Sequence, residues 1–514
     1  MIDNKNSRDP DDVKIFKGRF AAFFSVLGIA VCLACLFSLV DREMIITRMD
    51  ISGRNVGLRD FPYPYGAMAA LINDCDNTTP RSFERYHRFL NTRGETIYGP
   101  GLGLDISDSV FMYTAAADYN QVMTYFLGAG DGELKDARRI ERYIRCGWID
   151  ALHSYGDFSS SGGASPEGPQ PGEAAQEAAQ PGGASYLFTR ELAAGAAGAL
   201  RRDGIFPLIW TDHGNEGNVQ NFGSYGIESS ARYKRGDSPY SRDYYHSDIT
   251  LAGGLKYIWN AKDSSRFGYG FPLTARTLRD GRKLWSFSRY TGGGGSNGSG
   301  GGDDADNSRN SNNGSGGGDG AGNNSISTGA GGRGGAAGRE RDGRDWYPDR
   351  LRYILTEERL SDLADKGQYG LFAQHLGYYG EDYVYEAEDV EALRLLADFQ
   401  YGRNAVLVAG TARLFEYATA RKFVSYKASL AENTFTDIDI LSVDDPLFPE
   451  PAPSLDRLRG LTFYCDDQDN VRMFIRGEPV DDSEIVRNAP DETGRPSVSI
   501  RWHTQDTTDY TQYG

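Results

Sequence analysis

From Phe20 to Val40 (FAAFFSVLGIAVCLACLFSLV) the chain runs for 21 residues without a charge. At about 1.5 Å rise per residue, a helix of that length crosses a hydrocarbon core of roughly 30 Å. The segment predicts one membrane-spanning helix. Lys14, Lys17 and Arg19 stand just before it, and positive charge on that flank puts the N-terminus in the cytoplasm and everything after Asp41 outside it. A cleavable signal peptide carries a shorter apolar region of roughly 7–15 residues that ends in small side chains. Here the run continues through Leu36, Phe37, Leu39 and Val40, so an uncleaved anchor is expected: a single-pass membrane protein with its bulk extracytoplasmic.

Fifty-five Lys and Arg stand against 72 Asp and Glu, a net charge of −17, which repels phosphate backbones and anionic lipid surfaces. Nucleic acid is not expected as a partner. No glycine-rich phosphate loop precedes a helix, which argues against a nucleotide, and no G-x-S-x-G elbow argues for a serine hydrolase. The three cysteines beyond the apolar run, Cys75, Cys146 and Cys465, are an odd number and do not make a disulfide scaffold. Of 64 glycines, 20 fall between Thr291 and Glu340. Two low-complexity stretches, 159–184 and 291–345, bury too little to offset their own ordering entropy and are expected to be disordered insertions. Folded sequence resumes directly after each, so both belong to loops of one domain.

Outside them, short apolar runs alternate with helical patterns. Strands are expected at Gly103–Met112, Ile149–Phe158, Phe206–His213, Leu255–Trp259, Tyr369–Leu376 and Ala405–Ala409. Helices are expected at Tyr119–Phe126 with Leu134–Arg145, then at Phe188–Arg202, Arg352–Lys366, Ala387–Phe399 and Thr411–Ala420. Strand followed by helix, repeated, implies a parallel sheet covered by helices. The predicted fold class is α/β, a distorted (β/α)7–8 barrel over 96–425. A cytoplasmic tail (1–19), the anchor (20–40) and a stem (41–95) precede it, and a small β-rich C-terminal module (426–514) follows.

Reactive groups in such a fold lie where strands end. Four of the six histidines, His153, His213, His246 and His375, fall at or near strand ends. The first expected strand carries Asp105 and Asp108, and the second reads His153-Ser154-Tyr155-Gly156-Asp157. Imidazole nitrogen with carboxylate oxygen suits zinc or another divalent metal with a position left open for water, and Asp108, His153 and Asp157 supply such a set.

This order of residues resembles the polysaccharide deacetylase-like superfamily of exported deacetylases and their glycosidase relatives. The motifs that carry the resemblance are an acidic first strand, H-S-x-x-ligand on the second, an apolar strand ending in Trp259 and a late strand ending in His375. The resemblance spans roughly Gly101 to Ala420 and implies a distorted barrel with a divalent metal, Asp105 as base, His375 as acid and Trp259 lining the pocket. The family's adjacent acid pair is spread here over Asp105 and Asp108, and its second metal histidine is Asp157.

The loop from Trp210 to Gly223 is dense in amides, acids and glycine. Trp210, His213, Asn218, Gln220 and Asn221, with Asp237, His246, Asp248 and Trp259, are expected to hydrogen-bond and stack on a polysaccharide or oligosaccharide substrate. Three readings follow: a metal-assisted deacetylase, a glycosidase of the same barrel, or an inactive glycan-binding or envelope-assembly protein.

Overall fold

The computed structural model describes residues 56–512, except 115–120, 130–131, 157, 159–187, 214–217, 224–235, 242–244, 260–262, 291–346 and 432–433. Phe20–Val40, both low-complexity stretches and Asp157 lie outside the described residues. Among the described residues, no helix is long and apolar enough to cross a membrane.

Nine strands, β1 Ala67–Asn73, β2 Ser107–Tyr113, β3 Ile149–His153, β4 Ile209–Thr211, β5 Tyr257–Trp259, β6 Lys283–Ser286, β7 Arg289–Tyr290, β8 Tyr369–Gln374 and β9 Val406–Val408, curl into a half-barrel sheet. Their pairings are all parallel, in the order β7-β8-β1-β2-β3-β4-β5-β6, with β9 alongside the first half of β1. Every residue of β1 is buried. Ala67, Ala69 and Leu71 face a core under the helices, and Met68, Ala70 and Ile72 face a second core on the other side. Two buried faces explain why this strand reads as an apolar run without alternation.

Six longer helices accompany the sheet: α1 Pro80–Asn91, α2 Ala137–Cys146, α3 Arg190–Arg202, α4 Glu357–Asp365, α5 Ala387–Tyr401 and α6 Thr411–Phe423. Thr79 and Ser82 close a capping box on α1, with Pro80 in its first turn. At the start of α6, Ala412 N–H donates to Asp150 Oδ2 at 2.8 Å.

Several expectations change. Residues 67–91, read as stem, supply the central strand and α1, so the α/β unit begins well before 96. Thr124–Phe126, read as helix, is a strand beside Phe111–Tyr113. The expected helix at Arg352–Lys366 breaks into Leu351–Ile354 and α4.

The C-terminal part is β-rich, as its alternating runs suggest. One small sheet joins Val424–Ala431, Phe435–Val443, Val471–Ile475 and Glu478–Pro479. The other joins Thr462–Tyr464, Ser497–Ile500 and Ile485–Asn488 to the N-terminal pair Gly57–Leu58, with Gly57 opposite Tyr464. Ile438, Ile440, Phe463 and Ile500 share a core with Met68, Ala70 and Leu371, so the module covers one face of the half-barrel. The tail then returns beneath it, where Asp509 pairs with Arg88 at 3.0 Å and Tyr510 packs edge-on against Trp148.

Candidate metal centre

Parallel strands bring their C-terminal ends to one rim, and seven residues meet there: Asp74 and Asp76 after β1, His153 ending β3, His213 after β4, Trp259 ending β5, Arg289 in β7 and His375 after β8. His153 Nε2 lies 3.1 Å from Asp76 Oδ1. His213 Nδ1 lies 3.3 Å from the same oxygen and 2.9 Å from His153 Nε2. Three donors each about 2.1 Å from a common ion stand roughly 3.0–3.4 Å from one another in octahedral or tetrahedral geometry. Asp76, His153 and His213 therefore match the spacing of three ligands around one divalent ion, and the side chains of Asp76 and His213 remain partly exposed.

Asp76 Oδ1 is buried and takes no well-directed hydrogen bond, though two ring nitrogens stand within reach. Burial would push the Asp76 carboxyl up, but the His213 and His153 imidazoles outweigh it and hold the group well below the usual range. An ionised carboxylate and two imidazoles form the donor set that a borderline-soft divalent cation takes.

Each ligand is braced by its own chain. His213 N–H donates to Ser154 Oγ and Asn221 Oδ1, both at 3.1 Å, while Asn221 Nδ2 returns to His213 O at 2.6 Å. Ser154, straight after His153, has φ +51°, and Asn77, straight after Asp76, has φ +56°. The left-handed region is uncommon for residues other than glycine and clusters at functional sites. In both connections the backbone leaves the extended conformation directly after the ligand. The Phe111 ring packs 5.0 Å from His153 and 5.3 Å from His213.

Behind the triad, Arg289 Nη1 donates to both oxygens of Asp74 at 2.8 and 2.7 Å, and its guanidinium lies 3.6 Å over the Trp259 ring. His375 Nε2 reaches Asp76 Oδ2 at 3.0 Å and Asp74 Oδ2 at 3.8 Å. Burial would lower the His375 imidazole, but Asp76 and Asp74 raise it, so its protonated form is favoured. Burial, with Asp76, Asp108 and Asp74 around it, pushes the Cys75 thiol up, which leaves it protonated and packed beside Phe111 and Val122. Cys75, Cys146 and Cys465 are all free thiols.

His153, His213, His375 and Trp259 thus converge as expected, with His213 among the ligands. Asp108 does not. It pairs in register with Asn73, and its carboxylate turns to the helix-covered face to accept from Asn73 Nδ2 at 2.6 Å and from Tyr86 OH. Asp105 lies before β2, at the opposite rim, bonded to Arg413 at 2.7 Å. It cannot serve as the base. Asp157 lies outside the described residues.

Most of the expected sugar contacts are structural. Trp210 is wholly buried and donates to Asp212. Gln220 binds Tyr155 N–H and Gly156 O, and Asn218 accepts from Gln220. Asn221 clamps His213. Asp237 is buried and accepts from Arg279 N–H, and Asp248 is held by Nη1 and Nη2 of Arg190. Asp74 and Asp76 were not foreseen, although the signal was an apolar run ending in Asn-Asp-Cys-Asp ahead of a capping box.

His246 is also structural, fully buried among Trp210, Phe222, Phe188 and Tyr155. Its Nε2 donates to Gln220 O at 2.7 Å, leaving Nδ1 to accept from Thr250 Oγ1 at 2.9 Å. Burial lowers its pKa to about 4. Below about pH 6.5 the unfolded chain takes up a proton that the fold refuses, so this contribution is present above pH 6.5 and is lost as pH falls towards 4. Chemical denaturation should therefore show His246→Gln closing on the wild type by on the order of 3 kcal/mol between pH 7 and pH 4. A stability difference that does not change with pH would show that His246 is not held neutral.

Compared with known protein families, characterised proteins and solved structures, the chain matches none.

Proposed function

We propose that the chain is a metal-dependent carbohydrate deacetylase of the polysaccharide deacetylase-like kind. On this reading it is a distorted α/β barrel, anchored to a membrane by Phe20–Val40 and acting on an exported or surface polysaccharide. One observation carries the proposal: Asp76 Oδ1, His153 Nε2 and His213 Nδ1 stand within 3.3 Å of one another at the strand rim, flanked by Asp74 and His375. A zinc-like ion, when bound, supplies Lewis-acid polarisation of a carbonyl and acidifies water from a pKa of about 15.7 towards roughly 7.

The chain's own residues do the rest. Asp74 is the proton acceptor for the attacking water, and Arg289 stacked on Trp259 fixes its carboxylate against rotation. His375, entering from the other side of β1, carries the proton delivered to the leaving amine. Phe111 excludes bulk water from the ligand side, where low local dielectric strengthens these charges.

The arrangement supports deacylation over glycoside cleavage. A glycosidase needs one carboxylic acid kept protonated as the proton donor. Asp76 is held ionised by its two imidazoles, and Asp74 is engaged by Arg289 on both oxygens. Neither suits that role. A complete ligand set with its bracing intact also argues against an inactive binder.

Purified full-length protein loaded with zinc should release acetate from acetylated polysaccharide, lose this activity on chelation and regain it on adding zinc back. Stoichiometric zinc with no acyl release from any acetylated glycan would defeat the deacetylase reading.

A further inference from the structure

The segment after His375, Gly377-Tyr378-Tyr379-Gly380-Glu381-Asp382-Tyr383-Val384-Tyr385, places a row of tyrosines on the same rim as the metal centre. The Tyr378 ring stands edge-on to His375 at 6.1 Å and 4.7 Å from Tyr347. Tyr379 stacks near Tyr347 at 6.0 Å and lies 4.8 Å from Tyr383. Tyr379 is 44% exposed, which is unusual for so large a ring beside a buried rim. Four aromatic rings thus form one contiguous cluster beside the proposed proton donor, with Tyr379 its most exposed member.

The row is preformed. Leu376 N–H donates to Asn73 Oδ1 at 2.7 Å, and Tyr378 N–H donates to His375 O at 3.1 Å. Tyr385 is buried, stacks on Tyr98 at 5.2 Å and donates to Leu376 O. Arg85 holds the carbonyls of Gly380 and Glu381. A surface fixed in this way loses little entropy when a ligand lies on it.

Resting on the deacetylase reading above, we propose that Tyr347, Tyr378, Tyr379 and Tyr383 form a stacking shelf for successive neutral pyranose rings, making the enzyme selective for chains over single sugars. A phenol ring offers a flat apolar face to the C–H face of a sugar and a hydroxyl at its edge. At its edge the Tyr379 hydroxyl donates to Asp349 at 3.3 Å, and Arg81 lies 3.7 Å from Glu381. Its continuity with His375 fixes the direction: the chain runs from the metal centre out over Tyr378 to Tyr379.

The test uses the full-length protein with N-acetylglucosamine oligomers of two to six rings. Binding is read calorimetrically and turnover by acetate release. The wild type should show kcat/KM rising with chain length, and Tyr379→Ala should cut the hexamer-to-dimer ratio about tenfold, the scale of one lost aromatic contact. Tyr240→Ala, a ring 94% exposed elsewhere, should leave the ratio alone. A flat chain-length profile, or a Tyr379→Ala ratio equal to wild type, overturns the shelf while leaving the deacetylase standing. Tyr379-dependent binding without acetate release upholds the shelf and overturns the deacetylase. Absence of any oligomer binding overturns the shelf.

Discussion

His153→Ala is expected to abolish metal binding and deacetylation together. Its Nε2 stands 3.1 Å from Asp76 Oδ1 and 2.9 Å from His213 Nδ1, so removing it leaves one imidazole and one carboxylate. Losing a residue that merely braces a ligand already costs roughly 10–100-fold in affinity, and losing the ligand itself should exceed that. Elemental analysis after dialysis should find no retained zinc, with acetate release at background and the circular dichroism spectrum unchanged. Asp105→Asn, at the opposite rim, should keep both metal and activity. Full zinc occupancy in His153→Ala would remove the triad from consideration.

Asp74→Asn separates chemistry from metal binding. The substitution preserves shape and an acceptor for Arg289 but removes the group proposed to take up the water proton. Zinc content should stay at wild-type level while kcat falls roughly 10²–10⁴-fold, the usual contribution of a positioned base. Because Asp74 and Arg289 are both buried, breaking the charge pair also costs stability, about 3–5 kcal/mol where one partner is left uncompensated. The assay therefore needs a thermal melt beside it to confirm that the variant is folded at the working temperature. A kcat within a few-fold of wild type would reassign the base.

The strands β2, β3, β4, β8 and β9 were legible because each is an apolar run followed by helical periodicity. The same logic put His153, His213 and His375 at one rim, since parallel strands share their C-terminal end. β1 escaped because its apolar run falls between the expected anchor and the first expected strand and reads as connecting stem, and with it went Asp74 and Asp76. Asp108 failed on parity: successive strand residues face opposite ways, and the register that sets Asp108 beside Asn73 turns its carboxylate to the helix side. The amide-rich loop misled for a different reason. Buried amides are nearly always satisfied, and here Gln220 and Asn221 satisfy neighbouring backbone instead of a ligand.

The position of β1 in the sheet also governs the order in which the protein can be assembled. Its hydrogen-bonding partners are Tyr369–Gln374, Val406–Val408 and the start of β2, and Gly57–Leu58 must wait for Phe463 and Tyr464. During synthesis β1 emerges early, a short apolar segment with one edge unmatched until nearly the whole chain has followed. Non-local pairing of this kind slows folding and leaves sticky intermediates. A premature stop anywhere before Val408 therefore yields a polypeptide that cannot seal its own central strand.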